Sequence, residues 1–203
     1  MGKAYPPLGH GKITWLGVNQ DVRGFSTPRE RIFIAAYGVA NDRYYGQFRT
    51  MNGHDVDYIT TDGVARDTEV INHRQITIVE QDEVAVAGIL SGTEIMPGML
   101  RENMVVQYAS NRCPSFSRLP PLCRMVIGTE HPKVLMLTET NQPCRGICNP
   151  IAAFLQKPNA SEPLRQALKN RRGQLAMART VDVKEIHLGD TFMIYPPMDE
   201  KYL

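Results

Sequence analysis

The chain has few cysteines, little net charge and no long apolar run, and each shortage removes a class of function. Four cysteines in 203 residues are too few for a disulfide scaffold, so a reducing, cytoplasmic setting is expected. Lys and Arg total 23 against 21 Asp and Glu, a formal net charge of +2. That balance gives no broad surface for nucleic acid or anionic membrane, so any anion site has to be a local cluster. No stretch of about 18 apolar residues occurs, so no transmembrane helix is expected. Met1-Gly2-Lys3-Ala4-Tyr5-Pro6-Pro7 lacks the apolar core of a secretion signal and does not fit a myristoylation pattern. There is no P-loop, no dinucleotide fingerprint and no Ser-His-Asp order. The five histidines, His10, His54, His73, His131 and His187, show no helical i, i+4 pairing. Nothing resembles a linker or an internal repeat, so residues 1–203 are expected to form one domain with its core over about 12–196.

What is present is patterned mainly for strands. Short apolar or alternating runs predict strands at 12–18, 31–36, 75–79, 104–108, 123–127, 134–138, 174–180 and 191–195. Residues 81–90 predict a short helix. Asn149-Pro150 fits an N-cap followed by proline at the first helical position, which predicts a second helix through Leu155. A third starts at Ser161, shows Leu164 and Leu168 on one face, and is expected to end at Gly173. Residues 46–68 carry turn formers with little periodicity and predict a long excursion. About eight strands and three helices, not regularly alternating, predict a mainly β fold with short helices (α+β). The expected architecture is a largely antiparallel β-barrel with helices packed outside.

The residue placed for chemistry is Cys144. An apolar run, Leu135-Met136-Leu137, passes into the polar bend Thr140-Asn141-Gln142-Pro143-Cys144-Arg145-Gly146. A thiolate is both a nucleophile and a soft-metal ligand, and Arg145 lies beside it. A free cysteine is equally often a small buried hydrophobe; the polar bend favours the working role. Cys148, four residues on, is read as core or as a resolving thiol. The spacing of Cys113, Cys123, Cys144 and Cys148 does not supply a four-ligand zinc site. Arg43, Arg74, Arg101 and Arg145 all fall at strand ends or turns. Such arginines either converge on a phosphate or other anion at one rim of a barrel or are solvated singly. Asn72 and Asn103 sit at strand entries and could hydrogen-bond a polar ligand.

These residues fall into an ordered series that resembles a known family. Gly38-Val39-Ala40-Asn41-Asp42-Arg43, Asn72-His73-Arg74-Gln75, Leu100-Arg101-Glu102-Asn103-Met104-Val105-Val106, Pro143-Cys144 and Gly189-Asp190 together resemble the MOSC domain. That domain occurs at the C-terminus of molybdenum cofactor sulfurases and as free-standing bacterial proteins. The resemblance implies a barrel-like fold and a molybdenum cofactor, a metal held in a pterin dithiolene. It implies Cys144 as metal ligand and catalytic residue of an oxidoreductase that reduces N-hydroxylated small-molecule substrates. Arg43 would then meet the cofactor phosphate, with Arg74, Arg101 and Asn103 on the pterin side and Arg145 beside the thiol. In the sulfurase branch the same cysteine is implied as a persulfide carrier. A reductase would need an electron-donor partner, and a sulfur carrier a cysteine desulfurase. Two departures stand out: Asn41 replaces a glycine common before the Asp-Arg pair, and the strand exit Val18-Asn19-Gln20-Asp21 lacks a basic residue, leaving Arg23 as the substitute.

Overall fold

A computed structural model describes residues 5–21, 24–50, 67–180 and 182–197. Arg23 and most of the predicted excursion, 51–66, lie outside the described residues. The centre is a closed barrel of seven strands. In order round the barrel these are β1 (Gly9–Val18), β13 (Thr191–Tyr195), β9 (Arg124–Ile127), β10 (Lys133–Thr140), β11 (Gln174–Ala178), β7 (Ile76–Glu80) and β8 (Met104–Tyr108), which returns to β1. Every neighbouring pair is antiparallel except β7 and β8. A parallel pair needs a crossover, and α1 (Gln81–Ser91) supplies it. The edge of β1 pairs with β13 over its first half and with β2 (Thr27–Arg29) over its last residues.

The predicted strands all form; 104–108 and 191–195 match at both ends, and the other ends shift by at most three residues. Thirteen strands occur among the described residues rather than about eight, because short ribbons escape a periodicity argument. β3 (Arg31–Ala35), β4 (Gly38–Val39) and β12 (Lys184–His187) make a small second sheet. β5 (Phe48–Thr50) and β6 (Glu69–Ile71) pair at the two ends of the predicted excursion.

The strands alternate between two cores. Ile76 and Ile78 of β7, with Met104 and Val106 of β8, point into the barrel and are fully buried. Val79 and Val105 point outward into a second core. Three helices cover that outer face: α1, α2 (Arg145–Phe154) and α3 (Ser161–Ala167). Ala87, Ile147, Cys148, Ile151, Leu164 and Leu168 fill it. No described helix is long and apolar enough to cross a membrane.

Two helix boundaries differ from expectation. α2 begins at Arg145 with Cys144 as its N-cap, and Pro150 lies inside it. The amphipathic pattern of Ile147, Cys148 and Ile151 on the outer core outweighs the single amide bond that Pro150 cannot make. α3 ends at Ala167, and Asn170 takes the left-handed conformation (φ 59°) that ends such turns. Gly173 is needed for a different reason: a Cβ there would lie 1.9 Å from the Ile78 carbonyl oxygen.

Candidate cofactor site around Cys144

The bend that presents Cys144 is tied down at each end. The Asn141 amide donates to the Gly173 carbonyl at 3.0 Å, and Arg172 donates from Nη1 to the Gln142 carbonyl. The Cys144 carbonyl then accepts the Ile147 and Cys148 amides, both at 3.1 Å, and starts α2. Cys144 is half-buried, and its side chain makes no capping hydrogen bond. Its sulfur therefore sits at the positive end of a ten-residue helix, a place that favours negative charge. Cys148, one turn on, faces the outer core; burial pushes its thiol up to about 11.

Arg101 stands in the turn before β8, within electrostatic reach of the thiol. It adopts φ 60°, unusual for a side-chain-bearing residue, held by its amide on the Gly98 carbonyl at 3.0 Å. Burial, and next the positive charge of Arg43, lower its pKa; Tyr44, Cys144 and Asp21 act in the opposite sense. Arg43 in turn stacks on Tyr44 at 4.4 Å and donates from Nη2 to the Tyr44 hydroxyl at 2.7 Å. Arg43, Arg101, Tyr44 and Cys144 are thus one electrostatic group. An open cleft of about 570 Å³ runs along the Arg43 loop, lined by Gln20, Ala40, Asn41, Asp42, Arg43 and Tyr45.

Asp42 aims that loop. Its buried carboxylate accepts from the Asn19 amide at 2.8 Å, Asn103 Nδ2 at 2.7 Å and the Tyr44 amide at 2.9 Å. The Arg43 amide donates to the Asn19 carbonyl at 2.8 Å, so the exit of β1 and the arginine loop are stitched together. Asn41 takes φ 63°. Asparagine tolerates that left-handed conformation, so Asn41 does what a glycine would do there.

The remaining predicted residues have other neighbours. Asn103 spends its amide on Gly17 O and Asp42, and its carbonyl on the Thr77 amide. Asn72 is likewise committed to the Tyr44 and Gly46 carbonyls and the Arg74 amide. Both asparagines therefore shape the rim instead of offering free groups to a ligand. Arg74 forms an ion pair with Glu139 of β10 at 2.9 Å, and His73 shares that oxygen at 3.2 Å. Arg145 is exposed, and Glu162 of α3 lies within its electrostatic reach.

One member of the site carries no sequence signal. Arg172 is 8% exposed, and burial first of all lowers its pKa, with Cys144, Tyr44 and Cys148 opposing and Arg101 reinforcing. In sequence it is one of two adjacent arginines after a helix, indistinguishable from a solvated charge.

The geometry has counterparts among known proteins. The YuaD protein from Bacillus subtilis superposes with a TM-score of 0.80 at 18% identity, over 93% of this chain and 97% of that one. YiiM from Geobacillus stearothermophilus gives a TM-score of 0.54 at 12% identity, over 91% and 74%. At such identities these likenesses establish the fold alone. No curated protein matches the chain. The profile of the MOSC domain matches residues 59–193. That span is well over half of the sequence and contains Arg74, Arg101, Cys144 and Arg172, so the chain belongs to the MOSC domain family.

Proposed function

We propose that this protein binds the molybdenum cofactor through Cys144 and works as an oxidoreductase that reduces N-hydroxylated small molecules. MOSC domains are associated with molybdenum cofactor binding. The observation that carries the reading is the half-buried Cys144 sulfur at a helix N-terminus beside Arg101 and Arg172. The residues present fit the group. A thiolate suits a sulfur-rich molybdenum centre. Among the described residues no cluster of three or more His, Cys, Asp or Glu could hold a metal ion, so a metal on Cys144 would need ligands brought by its own cofactor. Such a cofactor is anionic, and Arg43 lines an open cleft while Arg101 stands nearer the thiol.

The cofactor, when bound, supplies the metal that exchanges electrons with substrate. The chain's own part is to bind and orient. Asp42 fixes the Arg43 loop, Arg172 pins the bend through the Gln142 carbonyl, and the N-cap position holds the half-buried Cys144 at the start of α2. An electron-donor reductase is the partner this reading requires.

The test is metal and pterin analysis of protein made in a cofactor-producing host, wild type beside Cys144→Ser. Wild type is expected to carry molybdenum and pterin, and the variant to lose the metal. Folded wild-type protein with neither overturns the reading. If that protein instead gains the mass of one sulfur atom at Cys144 from a cysteine desulfurase, the site is a persulfide carrier.

A further inference from the structure

Helix α1 carries an apolar face that no described residue covers. From Val84 to Thr93 no side chain is charged. Ala87 packs into the outer core, which accounts for one side of the helix. Asp82, Ala85, Val86, Ile89 and Leu90 recur at the three- and four-residue spacing that gathers them on the other side. All five are exposed, Ile89 at 81%, Leu90 at 61% and Val86 at 42%. A helix that is apolar on both sides is ordinarily buried on both. Single exposed aliphatics need no explanation, but a contiguous stripe of them marks an interaction surface.

The shape and charge of this face fit a second copy of itself. A shallow groove of about 370 Å³ runs along it, lined by Val84, Ala85, Gly88, Gly92 and Ile95, so the helix surface is low on that edge. Two α1 helices laid antiparallel about a point between Ala87 and Gly88 bring Ile89 of each copy over Ala85 of the other. Leu90 then lies beside Val86 of the other copy, so a two-fold axis makes every contact twice. The ends of the helix are oppositely charged. Asp82 stands on this face at the N-terminal end, and α1 contains no basic residue. At the C-terminal end Lys157, just past α2, donates from Nζ to the Gly92 carbonyl at 3.1 Å. Antiparallel pairing sets Asp82 of each copy beside Lys157 of the other and opposes the two helix dipoles. Parallel pairing would instead bring like charges together at both ends. An anionic membrane fits less well, because Asp82 on the face and exposed Glu94 at its rim would meet negative headgroups.

We propose that the protein forms a two-fold dimer through α1. The helices are antiparallel, with Val86, Ile89 and Leu90 at the centre and an Asp82–Lys157 ion pair at each end. This is independent of the role of Cys144.

The test is sedimentation equilibrium of the full chain from about 1 to 500 μM, the range in which modest interfaces dissociate. Wild type is expected to be dimeric at the upper end. Ile89→Glu changes an exposed position and raises the dissociation constant at least about thirtyfold, as loss of a central interface side chain does. Val183→Glu, at a position 63% exposed and outside the face, leaves it unchanged. Asp82→Lys and Lys157→Glu each raise it roughly tenfold, since symmetry makes each change twice, and the double variant returns to within about threefold of wild type. Circular dichroism checks that each variant folds; if Ile89→Glu does not, Leu90→Glu carries the same comparison. A wild-type monomer over the whole range overturns the proposal. So does a dimer that ignores the glutamate variants, or a double charge reversal as weak as the single ones. A wild-type monomer that floats with vesicles of phosphatidylcholine and phosphatidylglycerol, an ability lost in Ile89→Glu, gives the face to a membrane and likewise overturns it.

Discussion

Glu102 shows how much one residue near the site can cost. It is fully buried, and burial pushes its carboxyl up to about 7 from the ordinary 4.5, against the amides of Gly98, Glu102 and Leu100 and the more distant Arg172. Between those two values the folded chain keeps a proton that the unfolded chain has released. Stability from this group is therefore complete below about pH 4.5 and is lost as pH rises through about 7, a fall of up to roughly 3 kcal/mol. Glu102→Gln keeps an acceptor for the Gly98 amide and carries no charge. Urea unfolding at pH 5 and pH 8 should show wild type losing stability between the two, with the variant nearly flat. Parallel pH dependence in both proteins would place the titration elsewhere. The same turn supplies Arg101, so the chain tolerates an awkward buried acid next to a residue within electrostatic reach of Cys144.

At the scale of elements, Gly173 joins the outer helices to the barrel. It lies just before β11 at φ 84°, its amide donates to Ser117 Oγ at 2.7 Å, and its carbonyl accepts from the Asn141 amide of the cysteine bend. Gly173→Ala forces a Cβ into the Ile78 carbonyl, which neither β7 nor β11 can yield without breaking the ladder. Gly92→Ala is the control, since Gly92 also has positive φ (60°) but meets nothing within 4 Å. Denaturation should show Gly92→Ala costing about 1 kcal/mol and Gly173→Ala at least ~2 kcal/mol more. Equal losses would mean that φ alone, and not the contact, requires glycine at 173. The strands were legible because period-2 burial is local: Ile76 and Ile78 announce one face without knowledge of any partner. The start of α2 was not, since Asn149-Pro150 imitates a helix beginning while the outer core selects Cys144 as the cap. Motif order singles out Cys144, Arg43 and Arg101, which the structure brings within electrostatic reach of one another, but it does not announce the hydrogen-bond partners of Asn72 and Asn103. An asparagine's partners are backbone groups distant in sequence, such as Gly17 and Thr77 for Asn103. Arg172 was invisible for the same reason: its burial is created by the bend it pins.

At the scale of the molecule, the closed barrel decides where chemistry can occur. Its interior is filled by side chains such as Ile13, Ile78, Met125, Leu137 and Ile194, none more than 1% exposed. A small barrel packed this way keeps ligands outside. The closure itself, Gly9 against Ile194 through Lys12 against Thr191, joins the two ends of the sequence and no local pattern announces it. The site accordingly lies on the outer side, where the bend after β10, the turn before β8 and the loop after β4 meet over the helical layer. That layout assigns the four thiols to different environments. Cys123 is in the barrel and Cys148 on the buried face of α2, both at 0% exposure, while Cys113 and Cys144 are partly open. With its thiol at about 11, Cys148 is about one part in a thousand thiolate at pH 8, and the thiolate is what reacts. Excess iodoacetamide on the native protein at pH 8 should therefore label Cys113 and Cys144 and spare Cys123 and Cys148, with all four labelled in urea. Labelling of Cys148 at the rate of Cys144 in folded protein would contradict the packing of α2 on β7 and β8. It would also remove the reason for treating Cys144 as the one thiol presented for chemistry by that helix.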